Sequence, residues 1–393
     1  MKKKVGLAVV TYKDNFGSAL QTYATQKIVK QLGYDTEIFD ISGISSKIMK
    51  NKILFFLLRL FKPDEFKYVF EMAKSKFKKN KNNDYAKNME IRHEVYKKFY
   101  ADYLEFGSGV QSWDNLITES EKYSSVIVGS DQLWRPSNIA GRYFTLEFVP
   151  EHINKIAYST SFGVSILPNH QKKHAERFLR RIEHISVREE TGKQLVKELT
   201  DRDVPVVCDP TMLFNEEQWM EIQDNEPFKE GDYILMYLLG DNKEHREYVK
   251  RLKEKTGYPV VGLLHGSVYI DEDEEFVDNA PYNVGPGEFI NLIRNAKFMC
   301  TDSFHGMIFS ILNTTPFFAF RRYSDDSEFS TNDRIYTLLK RTGLNSRIIY
   351  GTEDIEESLK LDLDFENALN SIKTYRQNSL KFLRKALETG DAI

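Results

Sequence analysis

The sequence predicts an α/β protein built from two Rossmann-like domains that face each other across a cleft. Short apolar runs alternate with longer amphipathic stretches, which is the rhythm of βαβ units. The rhythm then starts afresh after Asn215 to Gly231, an acidic segment that contains Pro227. At 393 residues the chain also exceeds what a single hydrophobic core usually supports.

Val5–Val10 reads as the first buried strand. A polar turn follows, and Ser18 is the expected N-cap of a helix with Leu20, Tyr23, Ala24, Ile28 and Leu32 on one face. Gly33 ends that helix, and Thr36–Ile41 is the next strand. Further strands are expected at Ser125–Val128, Lys155–Ser159, His184–Val187 and Val204–Val207. The second set runs through strands Tyr233–Leu239, Val260–Leu264, Phe298–Thr301 and Phe317–Phe320. Its helices are Lys243–Thr256, Glu288–Asn295, one starting near Gly306, and one near Arg334–Arg341. These signals divide the chain into a first domain over 1–225, a second over 226–365, and a final helix over 366–393 that packs back on the first.

Composition narrows the class. Hydrophobic residues at 41%, charged residues at 29% and a net charge of −3 are ordinary for a soluble protein and supply no field for nucleic acid. Cys208 and Cys300 stand alone in apolar segments, so no disulfide framework arises and a reducing cytoplasm is the expected location. The cysteines and the scattered histidines suggest no metal site. The apolar run after Lys4 is too short for a signal peptide, and no stretch approaches the length of a membrane span. One segment breaks the βαβ pattern within a basic, apolar helical insert at about 45–100. Ile48 to Phe61 reads IMKNKILFFLLRLF, and a lysine-rich stretch follows. It reads either as an interfacial helix lying on anionic lipid, at the inner face of the cytoplasmic membrane, or as a helix packed on the domain.

In open α/β sheets ligands collect at the carboxyl ends of strands, and five such ends carry chemistry-bearing residues. Asn15 and Gly17 open the first helix. Ser130, Asp131, Gln132 and Trp134 follow the Ser125–Val128 strand as a sugar-binding set, with carboxylate and amide for hydroxyls and an indole for a pyranose face. Ser161 and Phe162 follow Lys155–Ser159. Arg188 directly follows His184–Val187, where it can pair with Glu189 or Glu190, or reach a phosphate or carboxylate. The sharpest segment is Thr301-Asp302-Ser303-Phe304-His305-Gly306, which places Ser303 and His305 at a helix start suited to phosphate. There His305 is a candidate general acid or base. Arg321, Arg322, Asn332 and Arg334 follow the next strand as candidate partners for the same anion.

Taken in order, the segments NFGSALQTYA (Asn15–Ala24), VGSDQLW (Val128–Trp134), YSTSFG (Tyr158–Gly163), ISVREETG (Ile185–Gly192), DPTMLF (Asp209–Phe214) and TDSFHGMIFSI (Thr301–Ile311) resemble the polysaccharide pyruvyl transferase family. The resemblance implies a GT-B-like fold and a reaction in which phosphoenolpyruvate, a co-substrate rather than a cofactor, ketalises two hydroxyls of one sugar and phosphate leaves. It implies His305 as the catalytic histidine and Arg188 as a donor-binding arginine. Ser303, Asn332 and Arg334 join the donor set on chemical grounds. Asp131 is assigned as base or acceptor-orienting carboxylate in the same way. Asn15, Gly17, Ser130, Gln132, Trp134, Ser161 and Phe162 form the expected acceptor set. The first domain is the expected acceptor side, the second the donor side, and the acceptor a sugar of a surface polysaccharide or a lipid-linked precursor. Two other readings stay open: a GT-B glycosyltransferase using a nucleotide sugar, and a glycan-binding protein without activity.

Overall fold

Each of the apolar runs is short enough to be buried on both faces, and in the computed structural model they form two wholly parallel sheets. Residues 3–11, 13–57, 83–266, 269–323, 330 and 332–390 are described. The first sheet contains β1 (Lys4–Ala8), β2 (Asp35–Asp40), β3 (Phe106–Gly109), β4 (Ser125–Val128), β5 (Asn154–Thr160) and β6 (His184–Val187), in the order β3-β2-β1-β4-β5-β6. The second contains β7 (Ile234–Tyr237), β8 (Val260–Gly262), β9 (Phe298–Thr301), β10 (Phe317–Phe320) and β11 (Ile348–Ile349), in the order β11-β10-β9-β7-β8. Each sheet therefore reverses direction once, between β1 and β4 in the first and between β7 and β9 in the second. Beside such a reversal, the loops leaving the two neighbouring strands part and open a crevice.

The structure departs from the sequence reading in a few places. Val204–Val207 does not form a full strand. Val206 makes only an isolated bridge to Val187, because Pro205 has no N–H to donate and the ladder cannot continue. β3 reads FGSG, a sequence with no apolar signal, and holds the sheet edge. The cap of the first helix, Phe16–Gln31, is Asn15, whose side chain accepts from the Ser18 N–H at 3.0 Å. Ser18 thus lies inside the first turn and its hydroxyl is free to point elsewhere.

The two sheets share one continuous apolar core at their junction. Phe16 stacks on Phe289 with centroids 4.4 Å apart, and also meets Tyr96 and Tyr237. Across the other side of the junction, Asp333 Oδ2 accepts from both the N–H and the hydroxyl of Thr191, at 3.2 and 2.9 Å. The last helix, Phe365–Thr389, binds both parts. Ser379 accepts from the Cys208 N–H, the Ala386 carbonyl accepts from Asn154, and Arg376 donates to the carbonyls of Met212 and Phe214. Its apolar stripe also rests against the helices Asp333–Thr342 and Phe304–Leu312.

Within the insert, Ser45–Leu57 is helical and packs on the short helix Pro136–Gly141. Residues 58–61 of the apolar run, and most of the lysine-rich stretch, fall outside the described residues. Among the described residues no helix is long and apolar enough to cross a membrane.

Candidate active site

The loops after β1 and β4, at the reversal of the first sheet, face the loop after β9, at the reversal of the second. The closeness of the approach is measured at Gly17. A Cβ built on it would stand 2.0 Å from His305 Nδ1, so only glycine fits there. His305 itself lies in the first turn of the helix Phe304–Leu312, which Ser303 caps by accepting from the Gly306 N–H at 3.3 Å.

Asp209 is the hub beneath this contact. Fully buried, it accepts from Ser130 Oγ at 2.7 Å and from Arg188 Nη1 at 3.0 Å, both through Oδ2. His305 Nε2 stands 3.5 Å from the same oxygen, close enough for charge attraction but short of an aligned hydrogen bond. Oδ1 is held separately by the N–H and hydroxyl of Thr211. Burial opposes the charge on Asp209, but His305, Arg188 and the Thr211 N–H outweigh it and hold the carboxyl far below the usual range. It is a permanent anion joining a histidine of one half to an arginine of the other.

Arg188 is surrounded on three sides. Besides Asp209, it lies 3.9 Å from Asp131 through Nη2 and 3.9 Å from Glu189 through Nε. Neither Nε nor Nη2 has a hydrogen-bond acceptor among the described residues. Its guanidinium lies over the Phe304 ring at 4.6 Å, and Arg334 approaches the same ring at 5.7 Å. Burial first, and then the nearby charges of Arg188 and Arg322, pull the Arg334 pKa down to about 9. Two buried guanidiniums sharing one aromatic ring, with donors of Arg188 still open, form an arrangement that an anion would complete.

Asp131 occupies the left-handed region at φ 81°, which is strained for a residue with a side chain. The Ser18 hydroxyl donates to its Oδ2 at 2.8 Å, and its own Oδ1 accepts from the Gln132 N–H. Burial works against its charge, but Arg188, then His305, and these hydrogen bonds hold the carboxyl below the usual range. Glu189 behaves oppositely. Burial pushes its carboxyl up despite the pull of Arg188, while Oε1 accepts from the Phe162 N–H at 3.0 Å.

A cavity of about 180 Å³ lies alongside, between Ser161, Gly163 and Glu189 of the first half and Ser330, Asp333 and Arg334 of the second. Its volume equals roughly six molecules of liquid water. Ser161 is fully buried and its Oγ accepts from the Gly163 N–H. Asn332, two residues before Arg334, donates to the Tyr323 carbonyl at 2.7 Å. Arg322 is engaged by Asp302, which also accepts from the Leu239 and Gly240 N–H groups, and Arg321 lies over Tyr350.

Several expected acceptor residues do other work. Trp134 is completely buried, donates its indole N–H to the Phe144 carbonyl at 3.0 Å and packs on Phe162 and Phe178. Neither Trp134 nor Phe162 offers a ring face to a sugar, because both belong to the core behind the site. Ser130, likewise fully buried, faces inward to Asp209. Asn15 caps its helix, and Gln132 is half-buried with an amide nitrogen that has no acceptor among the described residues. The one HxxxH spacing in the chain, His170 and His174, is also structural: His174 meets Glu147 at 2.7 Å and His170 lies beside Phe55. Sequence reasoning passed over Asp209, Ser18 and Phe304 as site residues. Asp209 stood within a quoted motif, behind a strand-like run, and that position was the available signal.

The profile of the family described as polysaccharide pyruvyl transferase matches residues 15–324, most of the chain. None of the curated proteins matches it. Among solved structures, a candidate UDP-N-acetylglucosamine 2-epimerase from Listeria monocytogenes is similar at TM-score 0.50 and 11% identity, over 98% of this chain and 91% of that one. The UDP-GlcNAc 2-epimerase of Neisseria meningitidis gives TM-score 0.48 at 9% identity, over 99% and 100% of the two chains. The glycosyltransferase SnogD of Streptomyces nogalater gives 0.46 at 10%, over 98% and 100%. Identities this low speak to fold alone, and the fold is GT-B: two parallel-sheet halves with their strand ends turned toward a common cleft. With six motifs in order and the family profile spanning both halves, the chain is a member of the polysaccharide pyruvyl transferase family.

Proposed function

We propose that the chain transfers a pyruvyl group from phosphoenolpyruvate to two hydroxyls of one sugar in a surface polysaccharide or its precursor, forming a pyruvate ketal and releasing phosphate. The observation that carries this reading is the pair of buried guanidiniums, Arg188 and Arg334, over Phe304 and next to His305. A donor with a carboxylate and a phosphate a few bonds apart suits two such cations and the adjacent helix start. A cavity beside Arg334 has room for a three-carbon phosphate.

His305 delivers a proton to C3 of the enol, while C2 gains cationic character and a sugar hydroxyl oxygen bonds to it. Asp131, held ionised, takes the proton of that hydroxyl. The bond from C2 to the phosphate oxygen then breaks, and the second hydroxyl oxygen closes the ketal. Of the two hydroxyl protons, one replaces that given by His305 and the other leaves with phosphate. Asp209 accepts a hydrogen bond from Arg188 and stands 3.5 Å from His305 Nε2, so proton donor and anion holder face one carboxylate. Acting in the cytoplasm on a soluble or lipid-linked acceptor, the enzyme on this scheme needs phosphoenolpyruvate and no resident cofactor.

A thermal-shift titration with phosphoenolpyruvate, phosphate and a panel of nucleotide sugars tests the donor. A saturable rise with phosphoenolpyruvate is expected, and it should persist in His305→Ala while turnover falls by about 10² or more. A rise with a nucleotide sugar alone would replace this reading with glycosyl transfer.

A further inference from the structure

The helix Ser45–Leu57 has two dissimilar sides. Its inner side seats Ile48 and Lys52 against Gly141, and buries Phe55. The outer side bears Met49, Ile53, Leu54 and Leu57, each about half exposed. Those four account for four of the eleven large hydrophobic residues left exposed among the described residues, gathered within nine positions of one helix. The remainder are scattered singly over the surface, as in any soluble protein. A concentration of this kind marks a surface that something covers.

Charge identifies what covers it. Lys47 and Lys50 are exposed on the same outward side, and residues 41–63 contain no aspartate or glutamate. Leucine, isoleucine and methionine flanked by lysines, on a helix already anchored by its other face, match the boundary between lipid headgroups and acyl chains. A protein partner would be expected to answer an apolar face without requiring this one-sided charge. The geometry points to a bilayer bearing anionic lipid as the occupant of the outer face of Ser45–Leu57. Apolar side chains would enter the headgroup boundary while lysine stems lie along it with their ammonium groups in the anionic layer. The inner face packs on Pro136–Gly141, directly after the Asp131–Trp134 loop, so the docking helix belongs to the half that carries Asp131.

Co-sedimentation of the full chain with vesicles tests this, using phosphatidylcholine alone and phosphatidylcholine mixed with phosphatidylglycerol. The expected result is binding to the mixed vesicles only, weakened by salt. Leu54→Ser with Leu57→Ser should reduce it by about tenfold or more, and Lys47→Gln or Lys50→Gln by about fivefold each. Both residue types are exposed, so circular dichroism and thermal unfolding should match the parent. Binding to neither vesicle overturns the inference. So does binding that survives Leu54→Ser with Leu57→Ser, or a dimer that these substitutions convert to monomer, which would make a second copy the occupant. Membrane docking is independent of the donor chemistry: in these variants the phosphoenolpyruvate thermal shift should be unchanged, so the two readings fail separately.

Discussion

Replacing Asp209 by asparagine changes no volume and removes one charge. Asparagine can keep its carbonyl toward Thr211, but its amide then points N–H donors at Arg188 and the Ser130 hydroxyl, from which Oδ2 had accepted, and at His305, whose charge it had faced. Breaking a buried pair usually costs about 3–5 kcal/mol. Here Asp131 and Glu189, each 3.9 Å from Arg188, supply part of the missing charge, so the low end applies. A loss of about 3 kcal/mol should lower Tm by roughly 3–4 °C in a chain of this size. The catalytic effect should be larger than stability alone would give, because His305 loses the anion that fixes its ring, and kcat should fall by about 10²–10⁴. Donor binding should move the other way or hardly at all, since Arg188 is released from a competing carboxylate. Measuring phosphate release and the phosphoenolpyruvate thermal shift on one preparation separates these effects. A variant that loses Tm but keeps kcat within about twofold would reduce Asp209 to a structural residue and refute its link to His305.

Trp134→Phe should lower stability by about 1–3 kcal/mol, from the stranded Phe144 carbonyl and the gap left in the core, and leave the acceptor KM unchanged. A raised acceptor KM at unchanged Tm would restore the indole as a sugar-stacking group. Gly17→Ala should push the His305 ring aside and cut kcat by at least about tenfold at equal protein folding, read by circular dichroism beside the activity assay. Normal turnover would mean that His305 can move freely. Asp209 and Asp131 both have depressed folded-state pKa values, so their contribution to stability is present above the unfolded value near 4 and lost as pH falls below it. Tm should therefore drop steeply below about pH 4, and Asp209→Asn should flatten that slope; an equal slope in both proteins would place the acid sensitivity elsewhere.

Most of the fold was legible because parallel strands are buried on both faces and so appear as unbroken apolar runs, such as SVIV in β4 and FFAF in β10. β3 was not, since FGSG sits at an edge where pairing, not burial, makes the strand. Val204–Val207 looked like a strand by composition and failed on a single missing N–H at Pro205. In the candidate site, the strand-end rule pointed to Asp131, Arg188 and His305, which the fold brings close together, because it depends on topology, which local sequence reveals. It also misplaced Trp134, because a residue type suited to sugar stacking is equally suited to a core, and only burial separates the two. Asp209 escaped notice for a different reason: its meaning lies in contacts to Ser130, Arg188 and His305, from 21 to 96 positions away in either direction.

The chemistry gathers where it does because two topological accidents coincide. Each sheet reverses once, and at each reversal the loops part and leave backbone and side chains uncovered. Either crevice alone would give a helix start and some polar groups, as in many α/β proteins that do unrelated things. Facing each other, they bring His305 against Gly17, and the loop after β6 adds Arg188 over Phe304, so that neither half holds a complete set. The Phe16–Phe289 stack, the Thr191–Asp333 bonds and the last helix hold that juxtaposition in place. Strain at Asp131 is tolerable for the same reason: surroundings fixed from both halves determine its backbone, and the left-handed turn places the carboxylate between Ser18 and Arg188. Separating the halves would therefore do more than open a cleft. It would take Asp209 from His305 and Arg334 from Arg188, and so dismantle proton donor and anion site together.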